Sequence, residues 1–556
     1  MTKADLLIRR AHLDPRVTGG VPGDAVAVAG GRILAVGPTD ALADLATPDT
    51  RVIDLAGASL LPGFQDAHVH PVIGGVELGR VDLAGVRSVD EFLATIGRWA
   101  AAHPEAEWIR GWGWTMELFP HGLARADLLG DITGGRPLFL PVRDGHSALV
   151  NDEALRRAGI TRETPDPPDG RIERDPDGTP TGMLHEGAMT LVSRLLPATS
   201  AQEIREGLLR AQRYLHSLGI TAWQDAAVGE DVLGLGISNY EVYRDLAASG
   251  ELTATVVGAL WWDRDHGIEQ LESLRELRSG VPAGGRFRPT SVKMMMDGIL
   301  ETYTASMLEP YHGIGHAHAH PTGLRFIDAR AVRDYVVALD RDGFQVHFHV
   351  IGDRAVRDAL DAVQAARDAN GFGGRHHLAH LQVVDPADVA RFAALRVVAN
   401  AQPLWACNTP QVVELTNPFL GEERAGGQYP WRTLVDAGAR LAMGSDWPIS
   451  TPDVLEQLYV AVTRKVPPSE RTPGWGLDDT PFFPQQCLTA AEAVQAFTVG
   501  SAYVNGRDEV SGTIEVGKEA DLVAVDTDLF TCDPEAIPAA TVLLTVAGGR
   551  IVHEGQ

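Results

Sequence analysis

Two histidines one residue apart, His68-Val69-His70, close the apolar run FQDAHVH. In an extended strand, residues i and i+2 project from the same face. Both imidazoles can therefore meet one cation, and imidazole is a ligand for zinc and related ions. The pair alone is a weak signal, and two hydrogen-bonded histidines at a strand end are the simpler reading of it. Other apolar runs carry the same residue types at their C-terminal ends. His347-Phe348-His349 precedes VIGD, His376, His377 and His380 lie in HHLAHLQVV, and Asp446 closes MGSD. Independent core histidines have no reason to gather at one rim, so the set points to a shared metal.

Lys293 stands in the apolar run SVKMMM. A charged ammonium in such a strand is costly. It can reach out to solvent, or pair with Asp297 or Glu301. As a neutral amine it can instead add carbon dioxide, and the resulting carbamate offers two oxygens to a pair of metal ions.

The elements that must position these groups alternate strand-like and helical texture, the signature of an α/β protein. Eight strand candidates cover 64–70, 219–226, 253–261, 290–298, 344–353, 376–384, 396–404 and 440–448. Eight is the number that a (β/α)₈ TIM-type barrel needs, and the candidate ligands lie toward the strand ends where barrel enzymes work. Between them, Val356, Leu360 and Val363 share a helical face, as do Leu208, Leu209, Leu215 and Leu218. Residues 1–60 and 505–556 read as short strands with paired-glycine turns. They predict a small composite β-sandwich around a barrel spanning 61–504. Residues 80–200 are too long for a plain βα connection and predict an inserted subdomain over the barrel mouth.

Composition narrows the function. Lys+Arg 48 against Asp+Glu 74 leaves a net charge of −26, which disfavours a nucleic-acid partner. No apolar run is long enough to span a membrane, and the N-terminus has no apolar signal core. The three cysteines, Cys407, Cys487 and Cys532, are too scattered for a disulfide framework. Cytoplasmic residence is the expectation.

Several motifs in order make the chain resemble the amidohydrolase superfamily, in the YtcJ-like branch that includes N-substituted formamide deformylases. They are LLPGFQDAHVHP, SVKMMMDGILETYTASMLEPY, FQVHFHVIGDRAV, HLAHLQ, MGSDWPI and GTIEVGKEADLVAVD, with GHSALVNDEAL and DGTPTGMLHE in the insertion. The resemblance implies metal ligation by His68, His70, His349 and His380, a carboxylated bridging Lys293, and Asp446 as both ligand and proton shuttle. His347, His376 and His377 match no ligand position. Zinc, as one or two ions, is the implied metal, together with the carbon dioxide-derived carbamate on Lys293.

The expected activity is hydrolysis of an amide or formamide-type C–N bond in a small molecule by a metal-activated water. Ester, carbamate or cyclic-amide hydrolysis, deamination, and metal binding without catalysis are the alternatives. His146 and Glu186 either reach the site or hold the insertion together. Trp112 and Trp114 either line an apolar pocket or pack in a core, and with Trp108 they suggest a substrate bearing an apolar or aromatic group. The tract HGIGHAHAH (312–320) is either a loop or a contact over the mouth. A homo-oligomer is left open.

Overall fold

The structure, a computed structural model, describes residues 2–230, 238–313, 320–472 and 474–555. Its centre is a sheet of eight strands: β1 (Phe64–Val69), β2 (Ile220–Val228), β3 (Thr255–Trp261), β4 (Phe287–Met295), β5 (Gln345–Val350), β6 (His377–His380), β7 (Val398–Ala401) and β8 (Arg440–Met443). Neighbours in sequence are neighbours in the sheet, and every pairing is parallel. The strands are largely buried on both faces because helices cover the outside and side chains fill the inside. Register aligns the chemistry: Lys293 lies opposite His347, Met295 opposite His349, and Val350 opposite His380.

The sheet comes round to β1 without a regular β8–β1 ladder. Asp446 N–H donates to the His68 carbonyl at 2.7 Å, and His70 N–H donates to the Trp447 carbonyl at 2.8 Å. Asp66 completes the seam by accepting from the Ser445 amide at 3.1 Å and the Ser445 hydroxyl at 2.6 Å. Gly444 makes this approach possible, since a Cβ there would stand 2.4 Å from the His68 nitrogen.

The helices follow the predicted faces. In Asp353–Asn370, Val356, Leu360 and Val363 are fully buried. In Ala201–Ser217, Leu208 and Leu215 are buried, Leu209 only partly so, and Leu218 caps the end. A reciprocal capping box between Ser200 and Glu203 starts that helix.

The chain ends form two further sheets. One contains Leu6–Arg9, Ala25–Ala29, Arg32–Gly37 and Arg51–Asp54; the other joins Ser59–Pro62 to Leu522–Val525, Val542–Ala547 and Arg550–Glu554. They meet where Ile33 N–H donates to the Lys518 carbonyl and Ala520 N–H to the Gly31 carbonyl, both at 2.9 Å. Residues between β1 and β2 build a six-stranded sheet of their own, from Val81–Asp82 to Pro180–Glu186. Its core of Val81, Phe92, Ile96, Trp114 and Leu138 continues into Ile299, Leu300, Met307 and Tyr311, which follow β4. Among the described residues, no helix is long and apolar enough to cross a membrane.

Candidate metal centre

The histidines at the end of β1 meet the residues just beyond β8. His68 Nε2 lies 3.2 Å and His70 Nε2 3.3 Å from Asp446 Oδ1. Their three ligand atoms fall within 4.8 Å of one another. His380 Nδ1 lies 3.8 Å from the other Asp446 oxygen. The His380 ring sits 4.8 Å from His68 and 4.6 Å from His349, centre to centre. Lys293 lines the same cavity and is 2% exposed. All six predicted ligand positions are thus gathered at one rim.

The local backbone explains how they are aimed. His380 and Asp446 adopt φ of 76° and 59°, a left-handed conformation that turns each side chain off its strand's alternation. The Gln402 side-chain oxygen holds the His380 amide at 2.7 Å. Asp66 accepts from the His68 amide at 2.9 Å. Asp297, fully buried, accepts from the amides of Ser306, Ile351 and Gly352 at 2.9–3.1 Å and lies 3.4 Å from His349 Nδ1. Asp297 is therefore committed to backbone amides, and Glu301 accepts from Thr416 Oγ1 at 2.7 Å. Neither is the ion-pair partner for Lys293 that the sequence allowed.

Burial sets the electrostatics. It lowers the Lys293 ammonium to about 7, against the opposing pull of Asp446. It also holds His68, His349 and His380 well below the ordinary histidine range. Burial alone would push the Asp446 carboxyl up, but His70, His380 and Lys293 overcome it and the net direction is down. The result is neutral imidazoles facing an ionised carboxylate, the protonation states that metal ligands require.

This donor set fits a divalent cation. His349 Nδ1 and His380 Nε2 are buried and make no hydrogen bond. Two ligands each about 2.0–2.1 Å from a tetrahedral zinc ion would stand roughly 3.3 Å apart, close to the spacing of the two histidine nitrogens from Asp446.

The centre opens into a cavity of about 460 Å³, walled by Trp112, Phe139, Trp262, Phe326 and Tyr429. The insertion contributes His146 and Glu186, paired at 3.0 Å, with the His146 ring 5.4 Å from His349. Burial pulls the His146 pKa down, but Glu186 and Asp144 outweigh it and raise it to about 9. Glu186 also accepts from Thr304 Oγ1 at 2.7 Å, linking the insertion to the segment after β4.

Two of the three insertion tryptophans lie away from the cavity wall. Trp114 is fully buried in the insertion core, where its indole donates to the Leu140 carbonyl at 3.0 Å. Trp108 is packed under Arg157 and does not line the cavity. For Trp114 the core reading that the sequence allowed is the one the structure shows. Of the tract 312–320, residues 314–319 lie outside the described residues. The supporting roles of Asp66 and Asp297 went unread, although both stand in the motifs FQDAHVH and SVKMMMDG.

A parallel barrel with this rim is the architecture of a metal-dependent hydrolase. Residues 51–553 match the amidohydrolase family, and the chain belongs to it. It is 30% identical to the putative amidohydrolase YtcJ of Bacillus subtilis, over 96% of both chains. It is 28% identical to the N-substituted formamide deformylase of Arthrobacter pascens, over 99% of this chain and 98% of that one. The structure of a metal-dependent hydrolase from Pyrococcus furiosus superposes with a TM-score of 0.69 at 25% identity, covering 95% of this chain and all of the other.

Proposed function

We propose that the protein hydrolyses an amide or formamide-type C–N bond in a small molecule bearing an apolar or aromatic group. The observation that carries this reading is the placement of Asp446 against His68, His70 and His380 at the floor of an aromatic-walled cavity. The similarity to a formamide deformylase supports the choice of bond. His68, His70, His349, His380 and Asp446 would hold zinc, as one ion or two. When bound, such an ion supplies an activated water near neutral pH and polarises the scissile carbonyl.

The chain's own groups do the rest. Asp446 accepts the proton of the attacking water and passes it to the departing nitrogen. The neutral amine of Lys293 can add carbon dioxide with release of a proton, and the resulting carbamate would offer its oxygens to the metal. His146, charged beside Glu186, faces the substrate carbonyl and stabilises the negative charge that develops there. Residues 1–60 with 505–556 act as a composite sandwich that supports the barrel of 61–504, and the insertion of 80–200 sets substrate preference.

The test is a panel of N-arylalkyl formamides, the matching acetamides and the isosteric formate esters, assayed with and without zinc. Formamide turnover exceeding ester turnover is expected. In Asp446→Asn that turnover should fall about 10²- to 10⁴-fold, the range of a lost general acid–base. Ester cleavage without formamide cleavage, or activity indifferent to chelators, would overturn the reading.

A further inference from the structure

His347 and His377 match no ligand position, yet both are fully buried beside the centre. Their hydrogen bonds form a chain in which each donor and acceptor can be assigned. At one end, Gln345 Nε2 donates to the carbonyls of Arg375 at 2.7 Å and Val504 at 2.8 Å. Carbonyls only accept, so the Gln345 oxygen is what faces Gln224, and Gln224 must present its NH₂ there, at 3.1 Å. That leaves the Gln224 oxygen toward the two rings, 2.7 Å from His347 Nδ1 and 2.9 Å from His377 Nε2. Both of those ring nitrogens must carry hydrogen.

The other end agrees independently. Asn400 Nδ2 donates to the Ala67 carbonyl at 2.9 Å, which orients the amide and aims its NH₂ at His377 Nδ1, 3.1 Å away. Gln402 Nε2, 3.2 Å from Asn400 Oδ1, confirms that orientation. His377 therefore accepts at Nδ1 and donates at Nε2. A neutral His347 with hydrogen on Nδ1 has its lone pair on Nε2, which lies 2.8 Å from His68 Nδ1. His68 must donate there, and its own lone pair is left on Nε2, the atom 3.2 Å from Asp446 Oδ1.

We propose that His347, held by Gln224 and His377, is a positioning residue that locks His68 in the tautomer whose Nε2 lone pair faces the metal. The backbone carbonyls of Arg375, Val504 and Ala67 are the fixed references, and the chain carries their polarity to the ligand. Without the lock, His68 can place its hydrogen on Nε2 and donate it to Asp446, which removes two ligand atoms from the site at once. Partners of this kind are typically worth roughly 10- to 100-fold in metal affinity.

The inference rests on the reading of His68 as a metal ligand, and zinc affinity measured by chelator competition separates the two. Wild-type protein without stoichiometric zinc binding would overturn both. With wild type binding, His347→Phe should weaken zinc affinity roughly 10- to 100-fold, and His347→Gln, whose amide oxygen can still accept from His68 Nδ1, should recover most of it. Equal affinity in wild type and His347→Phe, or an equal loss in both variants, would overturn the lock. Gln224 gives a second reading that leaves the histidines in place. Gln224→Leu frees both tautomers and should weaken zinc binding; affinity equal to wild type would also overturn the proposal. Thermal unfolding of the metal-free proteins establishes that each variant is folded when its affinity is read.

Discussion

At Lys293, burial and chemistry act in the same direction. The strand removes the amine from water and lowers its pKa to about 7, so that a useful fraction is a neutral nucleophile near neutral pH. In unfolded chain the same group titrates near 10.4. Between about 7 and that value the unfolded state holds a proton that the metal-free folded state has released. Stability contributed through this residue therefore rises with pH across that window, and below about 7 the full cost of the buried ammonium remains. Urea unfolding of metal-free protein from pH 7 to 10 should show this slope, and Lys293→Met should flatten it. A variant that keeps the wild-type slope would show that Lys293 does not titrate low. Lys293→Ala should also lose zinc by elemental analysis, with partial recovery of activity in short carboxylic acids that can replace the carbamate.

At the scale of elements, the site depends on how β8 is brought to β1. The strands are joined by the Asp66 carboxylate, which accepts from the Ser445 amide and hydroxyl, and by backbone hydrogen bonds from Asp446 to His68 and from His70 to Trp447. Gly444 lets the chains touch, because a methyl group there would meet the His68 nitrogen at 2.4 Å and Asp66 Oδ1 at 2.7 Å. Gly444→Ala must push the two rims apart. Overpacking of this kind costs about 1–3 kcal/mol, and here the displaced atoms carry His68 and Asp446. A lowered melting temperature accompanied by loss of zinc stoichiometry is the expected outcome. Loss of stability with zinc binding intact would separate the seam from the centre.

Over the whole molecule, the insertion and the barrel share one site. The barrel supplies the candidate ligands, while the insertion brings Trp112, Phe139, Arg143, His146 and Glu186 to the cavity wall. Gly298 is the close approach between them, since a Cβ there would lie 2.3 Å from Glu186 Oε1. Substrate preference should thus travel with the insertion. Replacing residues 80–200 with the corresponding segment of a relative that has a different substrate should reorder kcat/KM across the amide panel while zinc content stays unchanged. An unchanged order would place specificity in the barrel loops instead.

The candidate ligand positions were legible because they sit at strand ends, where residue type and local periodicity coincide. HVH, HFH, HLAH and GSD each end an apolar run, and eight such runs imply a barrel whatever their exact limits. Most of the limits ran long: the eighth candidate continued to 448, but β8 ends at Met443 and the rest turns through Asp446 to meet β1. Main-chain conformation at such a rim is imposed by contacts with a strand almost the whole barrel away in sequence, which no local pattern records. Trp114 and Trp112 show the same limit at one side chain each. They are two residues apart and alike in type, yet one fills the insertion core and the other faces the cavity. His347 shows it for polarity. Its place on the face of β5 was visible, but its tautomer depends on amides contributed by β2 and β5 and on carbonyls beyond them. Residue chemistry and strand period thus determined which groups reach the rim. Tertiary packing alone decided which nitrogen of each ring is free, which carboxylates remain uncommitted, and which aromatic rings a substrate can touch.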